Sequence, residues 1–348
     1  MNKDISNKTV VVTGASAGVG RAIACRFGRA GARVGLIARD ASSLADVKRE
    51  IEQSGGAALV SAADVADPDA VMAAADEIAQ KLGPIDIWIN DAMATVFAPV
   101  SQISPAEFRR VTEVTYLGAV YGTMAALRQM QPHDRGTIIQ IGSALAYRGI
   151  PLQAAYCGAK HAIRGFLDSL RTELIHAGSA IKIVVLELPA VNTPQFDWAR
   201  THMRRQPRPV PPVVEPEAIA EAAYRAALSP RREYWIGWST IKVIIGNMLL
   251  PSLLDHYLAK AAFAAQETPL PVSPARKDNL LAPVADLHRT RGSFGREAST
   301  HAIVVPGPLA RIAPVIGGAV LFFGFGLLAA RARFRSRSDA QRLKLTLQ

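Results

Sequence analysis

The stretch Thr9-Val10-Val11-Val12-Thr13-Gly14-Ala15-Ser16-Ala17-Gly18-Val19-Gly20 decides the fold of this 348-residue chain. Its first part is a β-branched apolar run typical of a buried strand, and a helix-like pattern follows over residues 21–29. Between the two, Gly14, Gly18 and Gly20 lack the Cβ atoms that would hinder a sharp turn and the close approach of a pyrophosphate. The N–H groups that open the following helix would face the negative charge. This order of strand, turn and helix predicts a dinucleotide site that includes Ser16 and Val19.

Strand-like and helix-like runs alternate along the rest of the first 240 residues. We expect strands at 9–12, 33–37, 57–61, 85–89, 137–141 and 181–186, and helices near 18–30, 42–53, 68–81, 104–130 and 152–177. A helix near 216–228 and a strand at 233–236 would complete the sheet. Near-continuous apolar strands separated by helices predict an α/β fold, in which a doubly wound parallel sheet of about seven strands carries helices on both faces.

Composition and charge limit the possible classes of function. Apolar residues make up 49% of the chain, enough for a substantial core. Two cysteines exclude a disulfide framework, and the histidines show no metal-ligand spacing, so no metal site is expected. The net charge is +11, but Lys/Arg and Asp/Glu number 19 and 19 over residues 1–199, 15 and 9 over 200–311, and 6 and 1 over 312–348. A C-terminal basic excess fits an anionic membrane surface better than a nucleic acid.

The C-terminal third predicts an extension beyond a catalytic domain of residues 1–240. Seven prolines make 189–216 a long loop, either a lid over a ligand or a surface excursion. An apolar helical extension at 241–265, broken by Pro251, reads as a packed or interface-lying helix pair. Residues 266–311 predict a Pro/Arg-rich linker without a core. The uncharged run 312–330 is long enough, at roughly 28 Å, to span or insert into a membrane, and a basic tail follows at 331–348.

The end of the second strand bears on the choice of cofactor. Ala38 stands where an acidic residue would accept the ribose hydroxyls of NAD, and the guanidinium of Arg39 suits a 2′-phosphate. NADP(H) is therefore the preferred cofactor and NAD(H) the alternative, although Asp40 could fold back or pair with Arg39. Asp64 and Val65 would contact the adenine, unless Asp64 only caps the next helix. Asn90, at the end of the fourth strand, would lie under the nucleotide.

The spacing Tyr156-x-x-x-Lys160, preceded by Ser143, predicts proton-transfer chemistry. A phenol with a pKa near 10 is a poor base at neutral pH. Lys160 lies one helical turn away on the same face, where its ammonium group would favour the phenolate. Ser143 can hold a substrate oxygen beside the Tyr156 hydroxyl.

Together, the glycine turn, Asn90-Asp91-Ala92, Ser143, the Tyr156 and Lys160 pair and Pro189…Thr193 resemble the compact branch of the short-chain dehydrogenase/reductase family over about residues 5–240. The resemblance implies a Rossmann-type fold, a nicotinamide cofactor and a homodimer or homotetramer. It also implies that Lys160 binds the nicotinamide ribose, that Thr193 contacts the nicotinamide carboxamide, and that Tyr156 and Pro189 border the same cofactor.

Two positions depart from the family pattern. Thr115 stands where the family has an asparagine that helps to hold a water in a relay to the lysine, and Met93 replaces a glycine. The sequence still predicts a membrane-associated, NADP(H)-dependent oxidoreductase that interconverts an alcohol and a carbonyl compound, with its catalytic domain facing the cytoplasm and a small lipophilic substrate. The alternative is a nucleotide-binding membrane scaffold or redox sensor that turns over little.

Overall fold

The computed structural model describes residues 5–311, and its centre is an eight-stranded sheet in the order β15-β12-β7-β6-β4-β1-β2-β3. Six neighbouring pairs, from β12 to β3, run parallel. Residues up to Val305 form one compact unit, and a second unit begins at Pro306. The strands are β1 (Thr9–Thr13), β2 (Arg33–Ala38), β3 (Ala57–Ala62), β4 (Ile85–Asn90), β5 (Val96–Phe97), β6 (Thr137–Ile141), β7 (Lys182–Glu187), β8 (Ala190–Val191), β9 (Arg200–Thr201), β10 (Arg205–Pro207), β11 (Val213–Val214), β12 (Glu233–Ile236), β13 (Glu267–Pro271), β14 (Ala298–Ser299) and β15 (Val304–Pro306).

Helices cover both faces of the sheet, as predicted. Because side chains alternate along a strand, Val10 and Val12 pack on one face with α1 and α8, whereas Val11 packs on the other with α3, α5 and α6. The helices are α1 (Gly18–Arg29), α2 (Ala41–Gln53), α3 (Pro68–Leu82), α4 (Pro105–Thr112), α5 (Gly118–Met130), α6 (Ala154–His176), α7 (Gln195–Trp198), α8 (Pro216–Leu228), α9 (Trp238–Leu249) and α10 (Pro251–Ala265). The Rossmann-type α/β architecture expected from the sequence is confirmed.

Three details differ from the sequence prediction. The single helix expected over 104–130 is two helices, α4 and α5, joined by a π-helical turn at Glu113–Leu117. The strand β15, far along the chain, extends the sheet beyond β12. The proline-rich loop 189–216 contains the short strands β8 to β11 and the one-turn helix α7. Of these, β8 and α7 line the central cavity described below.

The expectation of a coreless linker at 266–311 is wrong for much of its length. β13 pairs with β10, β14 pairs with β11, and the side chains of Leu280 and Val284 are buried. The arginines of this segment find acceptors in the domain, since Arg276 donates to the carbonyl of Phe196 at 2.9 Å. Composition alone missed this packing because backbone carbonyls and carboxylates of the domain satisfy the arginines, whereas only a few apolar side chains such as Leu280 are buried.

The apolar helical extension forms the predicted helix pair, because Pro251 ends α9 and begins α10. Between residues 5 and 311, no helix combines the length and the apolar character needed to cross a bilayer. The run 312–330 that we expected to span or insert lies outside the described residues, as does the basic tail at 331–348.

Candidate active site

The glycine turn lies at the carboxyl end of β1, next to the loop that follows β4. Gly14 has a φ of 73°, and a Cβ there would come within 2.9 Å of the Ala92 backbone. Gly18 also has a positive φ, of 58°. Both positions therefore require glycine, and the turn stays open toward the space above the sheet.

A cavity of about 640 Å³ begins at this turn and runs along the carboxyl ends of the strands. This is the position where doubly wound sheets bind their ligands. The predicted site residues that line the cavity are Gly14, Ser16, Gly18, Val19, Arg39, Asp64, Val65, Ser143, Tyr156, Lys160, Pro189 and Thr193. The length of this lining and the glycine cradle at one end fit an extended dinucleotide.

Three predicted residues lie behind the cavity walls instead. The Asn90 side chain is buried, accepts from the indole of Trp88 at 2.7 Å and donates to Thr123 at 3.0 Å. A Cβ on Gly20 would collide with the carbonyl oxygen of Gly14, so this glycine allows the turn to pack on α1. The hydroxyl of buried Thr115 both donates to and accepts from the backbone of Ala94, at 2.9 and 3.0 Å. These residues shape the site without facing the cavity.

Charged groups cluster at the end of the cavity near β2. Arg39 donates to the backbone carbonyls of Asn279 and Leu280, at 2.6 and 3.4 Å. Asp40 does not pair with Arg39; it caps α2 and accepts from Ser43, a hydrogen bond that holds the pKa of Asp40 below its ordinary value.

Asp64 lies at the same end of the cavity. It forms an ion pair with Arg110 and accepts from the backbone N–H of Ala66. The capping role considered for Asp64 belongs to Asp67, whose side chain accepts from the first N–H groups of α3. Asp64 is therefore left to line the cavity.

The predicted proton-transfer residues meet at the other end. Ser143 follows β6, and its side chain lies close enough to the phenol of Tyr156 to act against the rise in the pKa of that phenol. The Lys160 ammonium group lies 5.5 Å from the centre of the Tyr156 ring and donates to the carbonyl of Ile141 at 2.7 Å. The helix α6 thus presents Tyr156 and Lys160 to the cavity on one face.

Burial controls the titration of this cluster. It raises the pKa of Tyr156, and the nearby carboxyl groups of Asp91 and Glu187 add to that rise. The net direction of the shift is therefore opposite to the lowering of the Tyr156 pKa that the sequence predicted from Lys160. Burial also lowers the pKa of Lys160 and raises the pKa of Asp91, while the attraction between these two groups acts against both shifts. A neutral phenol that keeps its proton at neutral pH is suited to donate it.

The sequence reasoning missed two sets of residues. Glu187 is buried beneath the site, accepts from the backbone N–H of Ser143 at 2.7 Å and has its pKa raised to about 8 by burial. The sequence feature that could have identified it is an acidic residue at the end of the apolar strand β7. The second set comes from residues 279–288, where Asn279, Leu280, Pro283, Val284 and His288 line the cavity. Nothing local in the sequence marks that segment as part of a site.

Comparison with known proteins agrees with this geometry. The short chain dehydrogenase family model matches residues 8–204. An uncharacterized oxidoreductase of Bacillus subtilis, YxnA, is 27% identical over 90% of both chains. Dehydrogenase/reductase SDR family member 7B of the mouse is 36% identical over 54% of this chain and 59% of its own length. The 3-dehydrosphinganine reductase of Danio rerio is 32% identical over 54% of this chain and 57% of its own length.

Solved structures with either nicotinamide cofactor are similar. A metagenomic short-chain oxidoreductase in complex with NADP has a TM-score of 0.55 and 29% identity, over 66% of this chain and 96% of that one. An NAD+-bound xylitol dehydrogenase has a TM-score of 0.51 and 26% identity, over 54% of this chain and 72% of that one. Since the family model covers more than half of the chain and the site has the corresponding geometry, this protein belongs to the short-chain dehydrogenase/reductase family of NAD(P)-dependent oxidoreductases.

Proposed function

We propose that this protein reduces a lipophilic ketone or aldehyde to the alcohol with NADPH, at a membrane surface. The observation that carries the proposal is the Ser143 and Tyr156 pair at the end of a cavity that has an apolar wall. A bound nicotinamide would supply or accept the hydride. Tyr156 donates or accepts the proton at the substrate oxygen, Ser143 holds that oxygen, and Lys160 sets the charge beside the phenol.

The protonation state of Tyr156 supports the reductive direction. Burial raises the pKa of this phenol, so the proton required by a developing alkoxide is present at neutral pH. In the oxidative direction Tyr156 must first lose that proton, which an alkaline medium would favour. The rate of alcohol oxidation should therefore rise with pH more steeply than the rate of reduction falls.

The helix pair α9–α10 supports a lipophilic substrate. Val243, Leu254 and Leu258 line the cavity from this pair. The pair also exposes large apolar side chains that do not line the cavity: Trp238, Met248, Leu249, Leu250, Leu253 and Phe263. Exposed apolar surface of this kind marks a contact with a membrane or another protein. We propose that the pair faces the lipid, with the catalytic domain on the cytoplasmic side.

NADP(H) is proposed over NAD(H) because Ala38 is apolar and Arg39 lines the adenosine end of the cavity. A homodimer or homotetramer is proposed from family membership and would be measured by light scattering. The proposed domain limits are a catalytic domain at 1–240 and a helical extension at 241–265, with residues 279–288 of the following segment also lining the cavity.

The decisive experiment replaces Tyr156 by Phe and measures both binding and turnover. With the phenol proton removed, the rate of NADPH-dependent reduction of a long-chain ketone or aldehyde panel should fall by about 10²- to 10⁴-fold. NADPH affinity, read by fluorescence titration, should remain within about threefold, because the ring stays in place. Unchanged turnover in Tyr156→Phe on a validated substrate would overturn the assignment.

One observation favours the low-turnover alternative. The Thr115 hydroxyl is committed to both backbone groups of Ala94, which leaves no side-chain group there for a water relay. A nucleotide-binding scaffold or sensor would bind NADPH tightly and show no turnover across the carbonyl and alcohol panel.

A further inference from the structure

A segment outside the region matched by the family model closes the adenosine end of the cavity. We call residues 276–294 the C-terminal strap. Its carbonyl groups accept from the domain at three places: Asn279 and Leu280 from Arg39, His288 from Arg21 at 3.0 Å, and Arg289 from the backbone N–H of Gly18 at 3.0 Å. The strap therefore crosses directly from β2 to the glycine turn.

His288 of the strap lies in the wall of the cavity with its hydrogen-bonding capacity unused. Its side chain is only 9% exposed, and neither ring nitrogen has a hydrogen-bond partner of regular geometry. The ring packs against Trp198, with 5.2 Å between ring centres. A buried imidazole without partners is costly, so its presence beside a cavity indicates a ligand that supplies the missing acceptor.

The surroundings of His288 define the chemistry of that ligand. The Asp40 carboxylate is 3.8 Å from Nε2, and the backbone of Ser16 also faces the ring. Arg21 and Arg39 lie near enough, with burial, to lower the pKa of His288. Arg21 is already paired with Glu50 at 3.2 Å, Arg39 lies near Asp64, and Asp40 caps α2. The donors left for an anion at this point are therefore the ring N–H of His288 and the N–H groups of Arg39 that the strap does not use.

Arg39 by itself is a limited phosphate ligand in this chain. Two of its N–H groups are used by the strap carbonyls of Asn279 and Leu280. A phosphate on the adenosine ribose would also meet the charge of Asp40. The ring N–H of His288 adds a donor at this point. A bound phosphate would favour the protonated ring, against the burial that lowers its pKa.

We propose that His288 is a cofactor-binding residue that donates to the 2′-phosphate of NADP(H) at the adenosine end of the cavity. The proposal rests on the proposed preference for NADP(H), and it makes the strap part of the cofactor site. It assigns selectivity to a residue 249 positions beyond Arg39, from a segment that carries no sequence signature of the family.

Calorimetric titration of the full chain with adenosine 2′,5′-bisphosphate and with adenosine 5′-monophosphate tests this without turnover. The wild type should bind the bisphosphate more tightly. His288→Ala should weaken the affinity for the bisphosphate by about tenfold or more. It should change the affinity for the monophosphate by less than about twofold. His288→Lys should recover most of the preference, because it restores a cationic donor. His256→Ala, at an exposed histidine of α10, is the matched control and should change neither affinity.

The outcomes separate the two proposals. If the wild type prefers the bisphosphate and His288→Ala keeps that preference, the role of His288 is overturned while the NADP(H) assignment stands. Equal losses for both ligands would also overturn it, because His288 would then only hold the strap closed. If the wild type binds both ligands equally, the proposed preference for NADP(H) and the proposed role of His288 are both overturned. Melting curves of the wild type and of each variant identify any variant that has lost its fold.

Discussion

Glu187 is a buried carboxyl group at the base of the catalytic site, and its environment favours the protonated form. Burial is the main cause of its raised pKa, and the neighbouring Glu233 adds to it. The backbone N–H of Ser143 and the charge of Lys160 act in the other direction. A protonated carboxyl group, that of Glu187, therefore lies directly behind Ser143, the residue that would hold the substrate oxygen.

We predict that Glu187→Gln makes the protein less sensitive to alkaline pH. The folded-state pKa of about 8 exceeds the ordinary 4.5, so the stabilising contribution is full below pH 4.5 and is lost as the pH rises through 8. Glutamine keeps the acceptor for Ser143 but cannot ionise. The difference in melting temperature between variant and wild type should grow from pH 5 to pH 8.5, by an amount that reflects roughly a few kcal/mol at most. A difference independent of pH would show that Glu187 is ionised at all these values.

Individual residues also show which parts of the site could be predicted from the sequence. The glycine turn, Ser143, Tyr156 and Lys160 were predictable because each motif is local: one strand, one turn or one helical face holds all its members. The role of Asn90 was not, because its side chain is turned to Trp88 and Thr123 by packing between β4 and α5. The net rise in the Tyr156 pKa depends on burial and on Asp91 and Glu187, which come from the loop after β4 and from the end of β7.

At the scale of elements, the helix pair α9–α10 is held over the cavity by a small set of polar contacts. Arg148 donates to the Asn247 side chain at 3.2 Å and to the Pro251 carbonyl at 3.3 Å, and it pairs with Asp255. Asn247 in turn donates to the carbonyl of Tyr147 at 2.8 Å. One arginine after β6 therefore links both helices to the loop that carries Ser143.

We predict that Arg148→Ala loosens the helix pair and weakens substrate binding. The KM for a long-chain ketone should rise several-fold, because Val243 and Leu254 no longer hold their places in the cavity wall. NADPH affinity should not change, since α9 and α10 lie at the substrate end. Arg128→Ala is the control, because Arg128 makes a similar exposed ion pair with Asp76 on the opposite part of the domain. A KM equal to that of the control would contradict the proposed link.

The elements that periodicity predicts are those whose neighbours are close in sequence. Alternating strands and helices predicted the parallel strands of the sheet up to β12, but not their order, and Pro251 located the break between α9 and α10. The π-helical turn at Glu113–Leu117 was not predicted, because the apolar pattern over 104–130 was interpreted as one continuous helix. The strap depends on Arg21 and Arg39, which lie more than two hundred residues earlier, and β15 pairs with β12, about seventy residues earlier. The composition of both segments had predicted a linker.

At the scale of the whole molecule, charge and apolar surface are concentrated toward the C-terminal part of the chain. Residues 1–199 carry no net charge, whereas 200–311 and 312–348 carry +6 and +5. The exposed apolar side chains of α9 and α10 belong to the same half. A neutral catalytic sheet with a basic and apolar extension is suited to an anionic lipid surface.

We therefore predict that the full chain floats with phosphatidylcholine and phosphatidylglycerol vesicles in a density gradient. If residues 312–330 insert, the chain should stay with the vesicles after a wash in 1 M salt, because a Debye length of about 3 Å removes electrostatic attraction but not apolar burial. If only the basic extension makes contact, the same wash should release it, and vesicles of phosphatidylcholine alone should bind little. Leu250→Glu combined with Leu253→Glu should reduce flotation further if α9–α10 also faces the lipid, because both side chains are exposed. A chain that stays at the bottom of the gradient with every vesicle would refute the membrane proposal and leave the oxidoreductase assignment intact.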